Sequence, residues 1–267
     1  MKVACIQMDM MFANPDENFR KAEILINRAI EAGADTVVLP ETWNTGFFPK
    51  ENLKELADNN GSRTKAVLSG IALEKGVNIV GGSVANVKDD GVYNTCYVFN
   101  RKGECVAEYD KTHLFSPMDE DKFFNKGNHV STFELDGLKC AVIICYDVRF
   151  PELTRTMTVN EVDILFMVSQ WPLVRVPHLD ALTKARAIEN QMFVVCCNSS
   201  GTAGQTIYGG NSSVNDPWGV TIAHAKGQEE EIIIADCDTS ILEGIRNSIN
   251  VFRDRRPEIY NVRRILI

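Results

Sequence analysis

The sequence predicts a layered α/β fold, because short apolar segments typical of buried strands alternate with amphipathic segments typical of helices. The most informative segment is the apolar run 140–145 (CAVIIC), which is followed by polar residues and then by Pro151. Small and β-branched residues predict a strand buried on both faces, and proline suits the first position of the next helix. Cys145 therefore falls on the turn between a strand and a helix.

A thiol on such a turn is a candidate nucleophile. The sulfur would project beyond the sheet edge, and the backbone amides that open the turn, beginning with that of Tyr146, would point at negative charge on a bound molecule. The alternative is a packing residue, since free cysteine is among the most buried residue types and the chain has eight. The neighbouring motifs decide between the two interpretations of Cys145.

The first elements of the chain alternate as an α/β fold requires. Residues 2–8 predict a strand, and residues 14–18 (NPDEN) open a helix that runs to Ala32. Residues 35–41 (DTVVLPE) predict a short buried strand with Glu41 at its carboxyl end, the edge where α/β sheets build their sites. Glu41 is expected near chemistry, and the alternative is a solvated loop carboxylate.

The later elements continue the alternation. They are a helix at 62–75, a strand at 77–82, a hairpin at 93–100 and 103–109, a strand at 163–169, a helix at 178–190 and a strand at 192–197.

An internal similarity suggests two sheets. Segments 35–43 and 163–171 share an acid, an apolar strand, a polar end and a tryptophan at equal spacing. If this is more than chance, two similar strand ends meet across a pseudo-twofold axis, and Trp43 and Trp171 flank one pocket.

Composition narrows the class of protein. The 267 residues, 45% of them hydrophobic, suffice for one large α/β domain or two small ones, and the absence of a linker-like tract favours one domain spanning 1–267. The net charge of -8 disfavours nucleic acid as a partner. No apolar run approaches the roughly 20 residues that cross a bilayer, and the first residues lack a secretory signal, so no membrane association and a cytoplasmic location are expected.

The cysteines and histidines indicate neither a disulfide framework nor a metal. The eight cysteines show no C-x-x-C spacing, and the four histidines are scattered singly. This pattern predicts reduced thiols and no metal site, although ligands distant in sequence stay possible in principle.

Three ordered motifs carry a resemblance to a known family. They are residues 39–43 (LPETW), 109–115 (YDKTHLF) and 144–152 (ICYDVRFPE). Together they resemble the nitrilase superfamily of carbon–nitrogen hydrolases. The similarity continues through Trp171-Pro172 and residues 185–191, 209–212, 216–219 and 252–258, so it covers nearly the whole chain.

The resemblance implies a four-layer αββα sandwich and a Glu–Lys–Cys triad at Glu41, Lys111 and Cys145. Hydrolysis of an amide requires a strong nucleophile, a proton shuttle and stabilisation of the developing oxyanion. Cys145 would attack, Glu41 would accept its proton, and Lys111 would act with the Tyr146 amide on the oxyanion. No cofactor is required for this chemistry.

The family also carries a second glutamate, which Glu120 in residues 120–127 (EDKFFNKG) matches. Its implied role is to orient Lys111 and the substrate. The alternative is that residues 119–121 (DED) form a solvated acidic loop.

Other charged residues are expected to be structural. Arg149 and Glu152 are expected to pair with each other or with a neighbouring helix, and His113 and His178 to be packing or surface histidines. The basic residues of the tail are expected to form ion pairs at a surface or subunit interface; these residues are Arg253, Arg255, Arg256, Arg263 and Arg264. The resemblance implies a homodimer or higher homo-oligomer.

The chain length and motifs look closest to the ω-amidase-like branch, which hydrolyses terminal amides of small dicarboxylic acids such as 2-oxoglutaramate. A substrate carboxylate would need a cation, for which Arg175, Lys122 and Lys126 are candidates, and Trp171 is expected to contact this small-molecule amide. The alternatives are an amidohydrolase acting on N-carbamoyl compounds and, since all three triad residues are present, less readily a catalytically inert binding subunit.

Overall fold

The computed structural model describes residues 1–260, which form two large β-sheets with helices packed outside them and one small two-stranded sheet. The helices are α1 (Pro15–Glu31), α2 (Leu53–Leu56), α3 (Ser62–Lys75), α4 (Pro151–Thr158), α5 (Val176–Asn190) and α6 (Ile241–Ser248). The strands are β1 (Lys2–Gln7), β2 (Thr36–Val38), β3 (Asp58–Asn59), β4 (Asn78–Val80), β5 (Val84–Lys88), β6 (Gly91–Phe99), β7 (Cys105–Asp110), β8 (Thr132–Leu135), β9 (Leu138–Ile144), β10 (Ile164–Ser169), β11 (Phe193–Asn198), β12 (Thr202–Ala203), β13 (Thr206–Ile207), β14 (Ser213–Asn215), β15 (Thr221–His224) and β16 (Glu231–Asp236).

Each large sheet has a parallel centre. The first sheet runs in the order β16-β1-β2-β4-β6-β5-β3, with β7 paired to β6, and β1, β2 and β4 are parallel. The second runs β15-β14-β11-β10-β9-β8, with β9, β10 and β11 parallel. The turns that carry Glu41, Cys145 and Gln170 follow the carboxyl ends of the parallel strands β2, β9 and β10.

Two large apolar clusters of the core connect four layers. The larger cluster joins residues of the first sheet, such as Val38 and Val98, to residues of the second sheet, such as Ile143 and Phe166, and continues to Leu179 of α5. A second cluster packs α1 and α3 on the outer face of the first sheet. The order is therefore helix, sheet, sheet, helix, which confirms the expected αββα sandwich.

The two similar segments do meet. The Glu41 amide donates to the Ser169 carbonyl at 3.3 Å, and the Thr42 hydroxyl donates to Oε1 of Gln170 at 2.8 Å. The expectation that both tryptophans flank one pocket is wrong for Trp43. Its indole is buried in the helix-side cluster, 4.6 Å from the Phe19 ring.

The tail is described only in part. Arg256 pairs with Glu258, and Arg253 lies 3.8 Å from Asp254. Arg263 and Arg264 lie outside the described residues. The prediction that residues 1–267 form one domain stays a prediction.

No helix among residues 1–260 has both the length and the apolar content needed to span a bilayer.

Candidate active site

Cys145 lies where the sequence predicted it, on the turn that follows β9. It has a φ of 49° and begins a 3₁₀ turn, Cys145–Arg149, before Pro151 opens α4. A left-handed φ costs a non-glycine residue energy and persists only where the surroundings hold it. The turn therefore holds the thiol in a fixed position at the edge of the sheet.

Asp147 holds this turn against the segment that carries Lys111. Its buried carboxylate accepts hydrogen bonds from the Tyr109 hydroxyl at 2.8 Å, the Ile144 amide at 3.0 Å and the His113 amide at 2.9 Å. Nδ1 of His113 lies 2.9 Å from the same carboxylate. His113 is thus the structural histidine that the sequence predicted.

The ammonium of Lys111 bridges two carboxylates. Its Nζ lies 2.7 Å from Oε1 of Glu41 and 2.9 Å from both carboxylate oxygens of Glu120. All three side chains are buried, Lys111 being only 2% exposed. Burial opposes the charged form of Lys111, but Glu120 and Glu41 outweigh it and hold the pKa of this ammonium well above its ordinary value. Lys111 is therefore a permanent cation in the site.

Glu120 differs from Asp119 and Asp121, its acidic neighbours in the sequence, in being buried. It is 4% exposed and its Oε2 accepts the Phe115 amide at 2.6 Å, whereas Asp119 is half-buried and Asp121 is exposed. Burial raises the pKa of the Glu120 carboxyl, the Lys111 charge opposes this, and the Glu41 charge adds to it. Glu120 therefore belongs to the lysine cluster and not to a solvated loop.

Glu41 is likewise held on both oxygens. Besides Lys111, Oε1 accepts from Nδ2 of Asn94 at 2.9 Å, and Oε2 accepts from the Gln170 amide at 2.9 Å. Asn94 also donates to Glu120 at 3.3 Å. Sequence reasoning missed Asn94, whose only signal is a polar residue within a buried strand. The amide and the ammonium together fix the spacing of the two carboxylates.

These groups line one cavity of about 490 Å³, counted with the space that opens to solvent. Cys145, Glu41, Lys111 and Glu120 all contribute to its wall. The other lining residues are Thr42, Phe47, Phe48, Phe115, Met118, Tyr146, Arg149, Gln170, Trp171, Pro172 and Arg175. Both Tyr146 and Trp171, named from the sequence, are therefore in the site.

The sulfur of Cys145 is shielded from solvent. The residue is 9% exposed, and burial together with the Glu41 charge raises the pKa of its thiol, while Lys111 opposes this shift. A raised pKa keeps the resting sulfur protonated, so attack requires a base that removes the proton. The Glu41 carboxylate lines the same cavity and is suited to this role.

Two arginines line the cavity against aromatic rings. The guanidinium carbon of Arg149 lies 4.8 Å from the centre of the Trp171 ring, and that of Arg175 lies 5.1 Å from the Phe115 ring. Within residues 1–260, neither guanidinium forms an ion pair with a carboxylate. An anionic group could bind to them without displacing a carboxylate of the protein.

Of the two arrangements expected for Arg149, the pair with Glu152 does not form, whereas the contact with a neighbouring helix does, through His178 of α5. Arg149 instead contacts Trp171 and lies 3.2 Å from Nδ1 of His178, while Glu152 is exposed on α4. The strand-to-helix turn points Arg149 into the cavity and Glu152 to solvent. His178 is exposed, as predicted for a surface histidine.

Two of the three candidate cations are outside the cavity. Lys122 pairs with Asp119 at 2.9 Å on an exposed turn, and Lys126 is exposed. Only Arg175 of the predicted set lines the cavity. The described part of the chain contains no group of three or more histidines, cysteines or acids placed to hold a metal ion.

A four-layer αββα sandwich with glutamate, lysine and cysteine around one cavity is typical of hydrolases that cleave carbon–nitrogen bonds. The chain belongs to the carbon–nitrogen hydrolase family, whose model matches residues 2–247, and so to the nitrilase superfamily.

Known relatives extend over nearly the whole chain. The 2-oxoglutaramate amidase of Bacillus subtilis is 43% identical over 97% of this chain and 98% of its own length. The human omega-amidase NIT2 is 32% identical over 98% of this chain and 97% of its own length. The crystal structure of Saccharomyces cerevisiae Nit3, a member of branch 10 of the nitrilase superfamily, superposes with a TM-score of 0.88 at 29% identity, covering 96% of each chain.

Proposed function

We propose that this protein hydrolyses the terminal amide of a small 2-oxo or dicarboxylic acid, such as 2-oxoglutaramate, to the acid and ammonia. One observation carries the proposal: the Lys111 ammonium is bonded to Glu41 and Glu120 on the wall of the cavity that Cys145 lines. A thiol, a carboxylate base and a fixed cation are the groups that amide hydrolysis requires.

In the first half of the reaction, Glu41 takes the proton of the Cys145 thiol as the sulfur attacks the amide carbon. The carbonyl π electrons move to oxygen and give a tetrahedral oxyanion. Lys111 and the Tyr146 amide are proposed to donate to this oxyanion, where one donor contributes about 10²–10³ in rate. The proton on Glu41 then passes to the leaving nitrogen, the C–N bond breaks, and ammonia departs.

In the second half, the thioester on Cys145 is hydrolysed. Glu41 removes a proton from water as the water oxygen attacks the thioester carbon. When the C–S bond breaks, the proton returns to sulfur and the acid is released. The sum consumes one water and forms one acid and one ammonia, so no cofactor is needed.

The cations in the cavity favour a substrate with a carboxylate at its far end. Arg149 and Arg175 lie against Trp171 and Phe115, and neither pairs with a carboxylate within residues 1–260. Arginine binds carboxylates with charge-assisted hydrogen bonds that a simple aliphatic amide cannot form. The name of the Bacillus subtilis relative, 2-oxoglutaramate amidase, supports the same substrate class.

The test is ammonia release from 2-oxoglutaramate, 2-oxosuccinamate and butyramide, measured beside Cys145→Ala. We expect the two acid-bearing amides to exceed butyramide and the variant to release none. Equal or higher release from butyramide would contradict the substrate class, and release that is unchanged in the variant would contradict the thiol mechanism. Carbon dioxide formed with ammonia from an N-carbamoyl compound would indicate the alternative activity.

We also propose a homo-oligomer acting in the cytoplasm, where a reducing environment keeps the Cys145 thiol free for attack. Sedimentation of the purified protein tests the assembly, and a monomer at micromolar concentration would contradict it.

A further inference from the structure

Ser169 ends β10 directly beside the turn that carries Cys145. Strands β9 and β10 are parallel, and the last pair in register is Val168 with Ile144. The next residues are Ser169, which ends β10, and Cys145, which begins the turn after β9. Neighbouring strands lie about 5 Å apart along the hydrogen-bonding direction, so the two residues are close even though Cys145, with its φ of 49°, has left the strand. The serine hydroxyl and the thiol are therefore neighbours across the sheet edge.

The hydroxyl of Ser169 has no hydrogen-bond partner among the described residues, although the side chain is completely buried. A buried hydroxyl without a partner costs free energy, and such a donor is available to a neighbouring group that acquires negative charge. The backbone of Ser169 is engaged, since its carbonyl accepts the Glu41 amide. Only the hydroxyl is left unbonded in the resting state.

We propose that the Ser169 hydroxyl turns to the sulfur of Cys145 once that sulfur carries negative charge, donates a hydrogen bond to it, and so stabilises the attacking thiolate. The inference rests on the proposed function in taking Cys145 as the nucleophile. A hydroxyl rotates freely about its C–O bond, so it can donate a hydrogen bond to the thiolate without being bonded to the neutral thiol.

The charge distribution around the sulfur is consistent with this role. Burial and the Glu41 charge raise the pKa of the Cys145 thiol, and the Lys111 charge, the adjacent Gln170 amide and the adjacent Ser169 hydroxyl lower it. The Gln170 amide also donates to Glu41 and is therefore shared between base and sulfur. The serine hydroxyl is the side-chain donor of this set, and it can be removed without disturbing Glu41.

The experiment compares Ser169→Ala with Ser199→Ala. Ser199 is a matched control, because it is also completely buried and its hydroxyl also has no partner within residues 1–260. The alkylation rate of Cys145 by iodoacetamide is measured across pH by peptide-resolved mass spectrometry, which separates Cys145 from the other seven cysteines.

Loss of the hydrogen bond should raise the pKa of Cys145 by about one unit. At a fixed neutral pH the fraction of Cys145 present as thiolate then falls about tenfold. A more basic thiolate is a stronger nucleophile, which offsets part of this fall. The alkylation rate should therefore be about threefold lower. The pH profile should move upward in Ser169→Ala and stay in place in Ser199→Ala. Ser169→Thr, which keeps the hydroxyl, should return the profile towards that of the unmodified protein.

An unchanged profile in Ser169→Ala, or an equal shift in Ser199→Ala, would overturn the proposal. Labelling does not depend on turnover, so the result is separate from the amidase assay. If the unmodified protein labels Cys145 but releases no ammonia from any amide, the proposed function fails while the role of Ser169 is still decided by the two profiles.

Discussion

The backbone nitrogen and Nδ1 of His113 both lie 2.9 Å from the same oxygen of Asp147. His113 follows Lys111 by two residues, and Asp147 follows Cys145 by two residues. One buried carboxylate therefore ties the segment with the ammonium to the turn with the thiol. The His113 ring also stacks on Phe150, with 3.6 Å between ring centroids, and this contact closes the turn from the other side.

Replacing Asp147 with asparagine should destabilise the protein. The amide nitrogen of asparagine would face N–H and O–H donors that now bond to carboxylate oxygens, and buried donors would lose their acceptor at a cost of about 2 kcal/mol or more. Denaturant unfolding measures this change. Asp121→Asn changes an exposed residue and is the control, so its free energy of unfolding should equal that of the unmodified protein. If Asp147→Asn also has the free energy of unfolding of the unmodified protein, the role assigned to Asp147 is contradicted.

Replacing Lys111 with methionine should reduce ammonia release by at least about 10²-fold, because one oxyanion donor and the cation between two carboxylates are lost together. Lys122→Met removes an exposed lysine paired with Asp119 and should keep full activity. Retention of more than a tenth of the activity in Lys111→Met would show that the ammonium is not needed for chemistry.

Replacing Arg149 or Arg175 with methionine should lower kcat/KM for 2-oxoglutaramate by about 10- to 100-fold, the loss expected for a charge-assisted hydrogen bond. Hydrolysis of butyramide, which has no carboxylate, should change little. Glu152→Gln alters an exposed residue beside Arg149 and should leave both substrates unaffected. A parallel loss on both amides would mean that the arginines support the fold and do not select the substrate.

Glu120→Gln should alter how stability depends on pH. The pKa of Glu120 is raised above 4.5 in the folded protein, so the folded state binds a proton more tightly than the unfolded chain. Stability from this group is complete below pH 4.5 and is lost as pH rises through the folded pKa. From pH 4 to pH 7 the unmodified protein should therefore lose free energy of unfolding relative to Glu120→Gln. A difference that is constant, or that grows with pH in favour of the unmodified protein, would refute this shift.

The local spacing of apolar residues predicted those helices and strands in which this spacing is regular. The helix at 62–75 has the bounds of α3, and the predicted strand 163–169 contains β10. The sequence after residue 197 predicts no element, since β14 and β15 are short and β16 is defined by a partner far away in sequence. Strand β16 pairs with β1, with Asp236 opposite Lys2, and no local spacing encodes such a contact.

The residues of the candidate site could be named from motifs, but not all of their partners. The sequence identified Glu41, Lys111 and Cys145, and the structure brings them to one cavity. It did not indicate Arg149 as a cavity residue, because an arginine and a glutamate three positions apart suggest an ion pair, and only the path of the turn separates them. The equal spacing of Trp43 and Trp171 likewise does not determine which side of a sheet each indole enters.

The single ammonium shared by Glu41 and Glu120 has a consequence for the end of the catalytic cycle. With both carboxylates ionised, this cluster carries a net negative charge. Hydrolysis turns a neutral amide into a second carboxylate, so the newly formed acid is repelled by the same groups that tolerated its precursor. This repulsion acts on the new carboxylate at the end of the cavity where Cys145 lies and favours its departure.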